Sequence, residues 1–110
     1  MDDEQFEEHV RAALDELPDD IAKGLENVAV VVEEESPEDR WILGTFFGYP
    51  RDERTPSGAL PARVVIYRRP LLEAFPEPTE LERQIRITVL HELAHYFGID
   101  EDRIAELGYR

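Results

Sequence analysis

The feature that most constrains this chain is the stretch 80–97, which contains neither glycine nor proline. Its apolar residues recur at a spacing of four, which places them on one face of an α-helix. Gly98 follows, at the position where many helices end in a left-handed residue. The sequence therefore predicts one long helix with an apolar stripe made of Leu81, Ile85, Val89 and Leu93.

The start of this helix is predicted at Thr79, because Thr79 and Glu82 have the spacing of a capping box. In that arrangement the hydroxyl accepts a hydrogen bond from one free backbone N–H of the first turn. The carboxylate three residues later accepts one from another.

The rest of the chain is expected to supply a small sheet and shorter helices. Apolar residues spaced by three and four predict a helix over residues 3–17 that ends before Pro18 and covers one face of the sheet. Strands are predicted at Val28–Val32, which looks buried, and at Ala62–Tyr67, with a further candidate within Trp41–Tyr49. Short helical segments are expected at 20–25, 71–75 and 102–107, and an exposed loop at 50–61, which carries three prolines.

Length and charge limit what the chain can do. Its 110 residues suit a single domain over residues 1–110. Asp and Glu number 26 against 12 Lys and Arg, a formal net charge of −14. Such an acidic surface repels nucleic-acid phosphates and anionic lipids, so neither nucleic acid nor membrane is expected as a partner.

The chain contains no cysteine. Disulfides and thiolate metal sites are therefore excluded, which leaves His, Asp and Glu as the strong metal ligands. No apolar run reaches the ~18 residues of a membrane span. The acidic N-terminal residues do not look like a signal peptide, so a cytoplasmic location is expected.

His91, Glu92 and His95 carry the clearest chemical signal. Residues four apart on a helix have Cβ atoms roughly 5–6 Å apart, so His91 and His95 can reach one tetrahedral ion. Glu92 is rotated by about 100° from His91, which places its carboxylate beside the ion, as a base for a metal-bound water. The same pattern also arises by chance or on an ordinary helix surface. Its place in a long helix followed by Gly98 favours a zinc site.

A catalytic zinc needs a third protein ligand. His9 lies in the first helix, and nothing in the sequence directs it to the site. Asp100, Glu101 and Asp102 follow Gly98, where a left-handed turn reverses the chain and can return a carboxylate to the histidines. The same carboxylates could instead cap the last short helix or favour its N-terminal dipole.

The segment HELAHYFGIDE at residues 91–101 resembles the extended motif of the zincin metallopeptidases, H-E-x-x-H-x-x-G-x-x-(His/Asp). The short length and the RRPL stretch at 68–71 look like the small bacterial zincin-like family, the mini-zincins. This resemblance implies a reduced zincin-like α+β fold. In it, a small mixed β-sheet packs against the N-terminal helix and the HExxH helix.

The resemblance also implies roles for individual residues. His91 and His95 would be zinc ligands, Glu92 the general base and Gly98 the turn. The third ligand would be Glu101, at a position where this family typically has Asp. Larger relatives carry a methionine turn beneath the metal, whereas the only methionine here is Met1. Tyr109 is a candidate catalytic replacement, and alternatively a terminal aromatic that closes the core.

The predicted function is a zinc-dependent metallopeptidase in which Glu92 activates a metal-bound water to hydrolyse peptide bonds. Its substrate would be a peptide or an unfolded protein, bound along the edge of strand 62–67 as in larger zincins. Two alternatives are a catalytically inactive zincin scaffold that binds a protein partner and a domain with a purely structural metal. Exposed apolar residues could also form a homodimer patch, namely Trp41, Phe46 and Phe47.

Overall fold

The computed structural model describes residues 1–17, 19–25, 28–49 and 61–108. The predicted α+β class is confirmed, whereas most of the predicted loop at 50–61 lies outside the described residues, as does Tyr109. Among these residues, no helix is both long enough and apolar enough to cross a bilayer. The elements in chain order are α1 (Asp3–Asp15), α2 (Asp19–Ala22), a 3-10 helix (Lys23–Leu25), β1 (Val28–Glu33), β2 (Gly44–Phe47), β3 (Ala62–Tyr67), α3 (Arg68–Ala74), α4 (Pro78–Tyr96) and α5 (Glu101–Glu106).

The three strands form one mixed sheet in the order β1-β3-β2. β3 runs parallel to β1 and antiparallel to β2, with Ile66 beside Val32 on one side and beside Gly44 on the other. Because β3 is paired on both sides, its backbone offers no free edge. The prediction that a peptide binds along residues 62–67 is therefore wrong for this fold.

β1 is an edge strand, which corrects the prediction that it is buried. Its residues alternate between half-buried and exposed, and Val31 is 36% exposed. Val28, Val30 and Val32 pack against the core, while Ala29 and Val31 point to the other face. An apolar β-branched run fits both an edge strand and a central strand, and only the pairing order distinguishes them.

One face of the sheet carries the core. Val64 and Ile66 of β3 are fully buried there against α1 and α4. α1 packs mainly against α4, so it lies beside the long helix and completes the same layer. Full burial of each such side chain contributes roughly 1.5–3 kcal/mol to stability. The predicted stripe of α4 is confirmed as core: Leu81, Ile85, Val89 and Leu93 are each at most 3% exposed.

The start of α4 differs from the predicted capping box. The N-cap is Glu77, whose carboxylate accepts hydrogen bonds from the N–H groups of Thr79 (3.1 Å) and Glu80 (2.7 Å). Pro78 occupies the first helical position, where a missing N–H costs nothing. Glu82 therefore does not cap the helix, and its Oε1 lies 3.2 Å from Nδ1 of His9 on α1.

The end of α4 is the predicted turn at Gly98. Gly98 has φ of +73°, a left-handed conformation that favours glycine. Its N–H donates to the carbonyl of His95, and the N–H of Ile99 donates to the carbonyl of Ala94, both at 3.0 Å. These two bonds form a Schellman motif, which reverses the chain and starts α5 close to the last turn of α4.

Candidate metal centre

Two histidines of α4 converge near its C-terminal end. His91 and His95 are one helical turn apart, and their Nε2 atoms lie 3.3 Å from each other. The ring centroids are 5.0 Å apart with an interplanar angle of 72°. Both side chains are half-buried, with 22% and 32% exposed.

The turn at Gly98 brings a carboxylate to this pair. Oε1 of Glu101 lies 3.1 Å from Nε2 of His95 and 3.7 Å from Nε2 of His91. Asp100 caps α5 instead, since its side chain accepts a hydrogen bond from the N–H of Arg103 at 2.9 Å. Of the three carboxylates that the sequence left open, Glu101 is the one with a described contact to the histidines. Asp100 thus caps α5, while the next residue, Glu101, contacts the histidines.

The geometry of these three atoms fits a tetrahedral metal ion. Ligand atoms at ~2.0–2.1 Å from a tetrahedral zinc are separated from one another by about 3.3 Å. The separations here are 3.3, 3.1 and 3.7 Å. Two imidazoles with one carboxylate are a donor set that zinc accepts, and a tetrahedral ion held by three protein atoms keeps a fourth position open.

Glu92 lies beside this triangle. Donor atoms of His91, Glu92 and His95 all fall within 4.8 Å of one another, so these residues form a second possible ligand group. The nearer carboxylate is nevertheless that of Glu101, because Oε2 of Glu92 is 4.0 Å from Nε2 of His91. Both carboxylates thus lie close to the histidine pair, Glu101 nearer to it than Glu92.

The environment of Glu92 favours its protonated form. Only 12% of its side chain is exposed, and this burial raises the pKa of the carboxyl. Positive charge on His91 or His95, when present, opposes the rise in pKa, as does a backbone hydrogen bond from Phe46, while the Glu101 carboxylate adds to it. A carboxylate that gains protons more readily than usual suits a group that takes up and releases a proton.

An open cavity of about 400 Å³ adjoins His95 and Glu92 and is lined by both α4 and β2. Glu92 and His95 contribute from the helix, and Gly44, Thr45 and Phe46 contribute from the strand. The sequence did not assign the three β2 residues to the site, because they are far from the motif along the chain. The available signal was a glycine shortly before an aromatic pair, which marks a strand that approaches another backbone closely.

Comparison with known proteins agrees with this site. The family model for zincin-like metallopeptidases matches residues 25–109, which is most of the chain. The chain belongs to this family. A solved structure of a conserved hypothetical protein from Thermus thermophilus is also similar, with a TM-score of 0.62 and 28% sequence identity. The match covers 86% of this chain and 92% of that one. None of the curated proteins matches the chain significantly.

Membership of the zincin-like metallopeptidases implies a metal, typically zinc, and the His91–Glu92–His95 group is where this chain offers ligands for one. His9 is not part of the centre; it pairs with Glu82 at the α1–α4 contact. Tyr109 lies outside the described residues, so its catalytic role stays a prediction.

The three aromatic residues predicted as a dimer patch have different surroundings. Phe46 is half-buried and packs against the core, with its ring centroid 6.1 Å from that of Tyr96. Trp41 is 57% exposed and lies under the Arg40 guanidinium, and Phe47 is 38% exposed. Phe46 is therefore occupied within the fold, and the homodimer stays a prediction.

Proposed function

We propose that this protein is a zinc-dependent peptidase in which His91, His95 and Glu101 bind the metal. The observation that carries the proposal is the triangle formed by the two Nε2 atoms and Oε1 of Glu101, whose sides of 3.1–3.7 Å match the spacing around a tetrahedral ion. Each of the three side chains is partly exposed, so an ion can reach them from solvent.

Glu92 acts as the general base and acid in this proposal. When bound, zinc supplies Lewis-acid polarisation of the scissile carbonyl and lowers the pKa of water to about 7. Glu92 lies beside the metal position and accepts the proton of the attacking water. Its carboxyl group then passes that proton to the departing amine. The raised pKa of Glu92 supports the second step, because the protonated carboxyl is stabilised by burial.

The free edge of β2 is the proposed place for the substrate backbone. The N–H of Tyr67 donates to the carbonyl of Leu43 at 2.9 Å, which fixes the hydrogen-bonding pattern between the two strands. In an antiparallel pair, bonded residues alternate, so the backbone groups of Gly44 and Phe46 point away from β3. In the described part of the chain, β2 pairs with β3 only. The Phe46 N–H is directed at Glu92, so a peptide or an unfolded segment in extended form can add along this edge through the N–H and carbonyl of Gly44 and the carbonyl of Phe46.

The cytoplasm stays the proposed location, as predicted from the sequence.

The experiment that tests the function compares Glu92→Gln with the wild type. Metal content is measured on protein purified without chelator or added metal, and hydrolysis is followed with a fluorogenic peptide library. We expect bound zinc in both proteins and a loss of turnover of about 10²–10⁴-fold in Glu92→Gln. Glu106→Gln serves as the control, since Glu106 pairs with Arg103 on the surface of α5. Unchanged turnover in Glu92→Gln would exclude Glu92 as the base. Zinc-loaded wild-type protein without hydrolysis would favour the inactive scaffold instead.

A further inference from the structure

Gly44 lies where β2 approaches α4 most closely. A Cβ atom at this position would lie 2.9 Å from Cγ2 of Thr88 and 3.1 Å from Cγ of Glu92. It would also lie 3.2 Å from the carbonyl oxygen of Val65 on β3. A methyl group thus has no room unless the strand and the helix separate.

Thr88 cannot easily move to make that room. Its side chain is buried, and its hydroxyl donates to the carbonyl of Gln84 at 2.7 Å, which fixes the position of the methyl group. A β-branched side chain in a helix also has few alternative rotamers. Thr88 lies one turn before Glu92 on the same helix, so a methyl group added at position 44 would push β2 away from Glu92 as well as from Thr88.

This close approach places the outer edge of β2 beside the side chain of Glu92. Phe46 is two residues beyond Gly44, and its backbone N–H points away from β3, as the pattern of β2–β3 pairing requires. The Phe46 backbone also acts to lower the pKa of Glu92, as a donor directed at the carboxylate does. The Phe46 ring packs into the core on the same side, which anchors that part of the strand.

We propose that Gly44 is a positioning residue for catalysis. By carrying no side chain it lets β2 lie against α4, so that the Phe46 N–H holds one oxygen of Glu92 and leaves the other for the proton transfer. The catalytic consequence rests on the proposed peptidase function, whereas the hydrogen bond and the close approach can be tested without any activity.

The first measurement is amide hydrogen exchange of Phe46 in the metal-free full-length protein. We expect exchange to be faster by about tenfold or more in Glu92→Ala, as for loss of a charge-assisted hydrogen bond. Gly44→Ala should accelerate exchange of the same amide. The Thr45 N–H, which faces β3, is the internal reference and should not change. Equal exchange of the Phe46 amide in the wild type and Glu92→Ala would overturn the proposal.

The second measurement is rescue. Thr88→Ser removes the methyl group that the new Cβ would meet and keeps the hydroxyl bonded to Gln84. In zinc-loaded protein, Gly44→Ala should lower kcat by roughly 10- to 100-fold with KM and zinc content unchanged. Gly44→Ala/Thr88→Ser should recover part of kcat and part of the slow exchange of the Phe46 amide, since the shortest of the three contacts is removed, and Thr88→Ser alone should resemble the wild type.

The possible results distinguish a failure of the proposed peptidase function from a failure of the positioning role of Gly44. If the zinc-loaded wild type hydrolyses nothing, the proposed function fails, and hydrogen exchange of Phe46 still decides the role of Gly44. If the single alanine variant does not fold, the double variant carries the comparison. A Gly44→Ala protein with normal kcat, or a loss of kcat that Thr88→Ser does not reverse, would contradict the positioning role.

Discussion

Two groups of carboxylates in this molecule have opposite surroundings. At the junction of α1, β1 and α3, Arg68 lies between two acidic side chains: its Nε is 3.0 Å from Asp3 and 2.8 Å from Glu34. At the metal centre, Glu92 and Glu101 face histidines, and no ion pair to Lys or Arg is found for either among the described residues. The first group contains its own counter-ion and the second does not.

The pKa values of one carboxyl from each group, Glu34 and Glu92, are shifted in opposite directions. The hydrogen bond from Arg68 lowers the pKa of Glu34, while burial raises the pKa of Glu92. In the first group the Arg68 guanidinium thus neutralises the charges of Asp3 and Glu34, and these contacts link α1, the end of β1 and α3. The carboxylates beside His91 and His95 have no permanent cation among the described residues, so a bound metal ion would stabilise their charged forms.

The largest expected effect is the loss of zinc when a histidine beside Glu92 and Glu101 is replaced. His95→Ala removes one corner of the ligand triangle, so we expect the purified protein to lose its stoichiometric zinc. His9→Ala is the matched control, because His9 pairs with Glu82 away from the site and should not affect zinc content. Elemental analysis of the two variants measures this. Equal zinc content would show that the ion binds elsewhere.

The next effect concerns the third ligand. Glu101→Gln keeps the shape of the side chain and removes its charge, which weakens coordination to zinc. We expect the zinc dissociation constant to increase by at least about 10- to 100-fold, the loss typical even of outer partners of a metal site. Asp102→Asn, one residue further along α5, should leave affinity nearly unchanged. Competition with a chelator of known affinity measures both, and a larger effect of Asp102→Asn would move the ligand to that residue.

A smaller effect should appear in the stability of the metal-free protein. Because the folded state raises the pKa of Glu92, protonated Glu92 is tolerated at low pH and stability is lost as pH rises through the folded pKa. Metal-free Glu92→Gln should therefore have a higher Tm than the wild type near pH 8. This advantage should vanish at a pH below the pKa of the unfolded chain, about 4.3. Thermal melts across this range test the sign, and a lower Tm for the variant at pH 8 contradicts it.

The smallest effect should be found at Glu34. Its folded pKa is lowered, so its contribution to stability is present above the unfolded pKa and is lost as pH falls through the folded pKa. Glu34→Gln should therefore lower Tm slightly at pH 7, with no difference at the lowest pH. Added salt should reduce the difference, because the pair is exposed and screened. A Tm difference between Glu34→Gln and the wild type that grows as pH falls would contradict the stabilising role of the Arg68–Glu34 pair.

The sequence predicted the parts of the fold whose signal is local. The stripe of α4 and the turn at Gly98 follow from the spacing of residues within one segment. The start of α4 was misplaced because Thr79 and Glu82 imitate a capping box, while Glu77 has a side chain long enough to reach two N–H groups past Pro78. The order of the strands depends on pairing between distant segments, and nothing in Val28–Val32 shows that it lies at an edge.

In the candidate site, too, some residues are close together in the sequence and others meet only in the folded protein. His91, Glu92, His95 and Glu101 lie within one short segment, so a helix followed by a left-handed turn was enough to bring them together. Gly44 and Phe46 come from another part of the chain and meet Glu92 only through the packing of β2 on α4. The neighbours of Glu92 on β2 therefore depend on tertiary contact, which the local sequence pattern does not show.

The most direct test of the metal centre is anomalous diffraction at the zinc absorption edge from crystals of the protein purified without added metal. We expect one peak at about 2.0–2.2 Å from Nε2 of His91, Nε2 of His95 and a carboxylate oxygen of Glu101, with a fourth position not filled by protein. Absence of zinc, coordination by Asp100 or Asp102 in place of Glu101, or a fourth protein ligand that closes the site would contradict it.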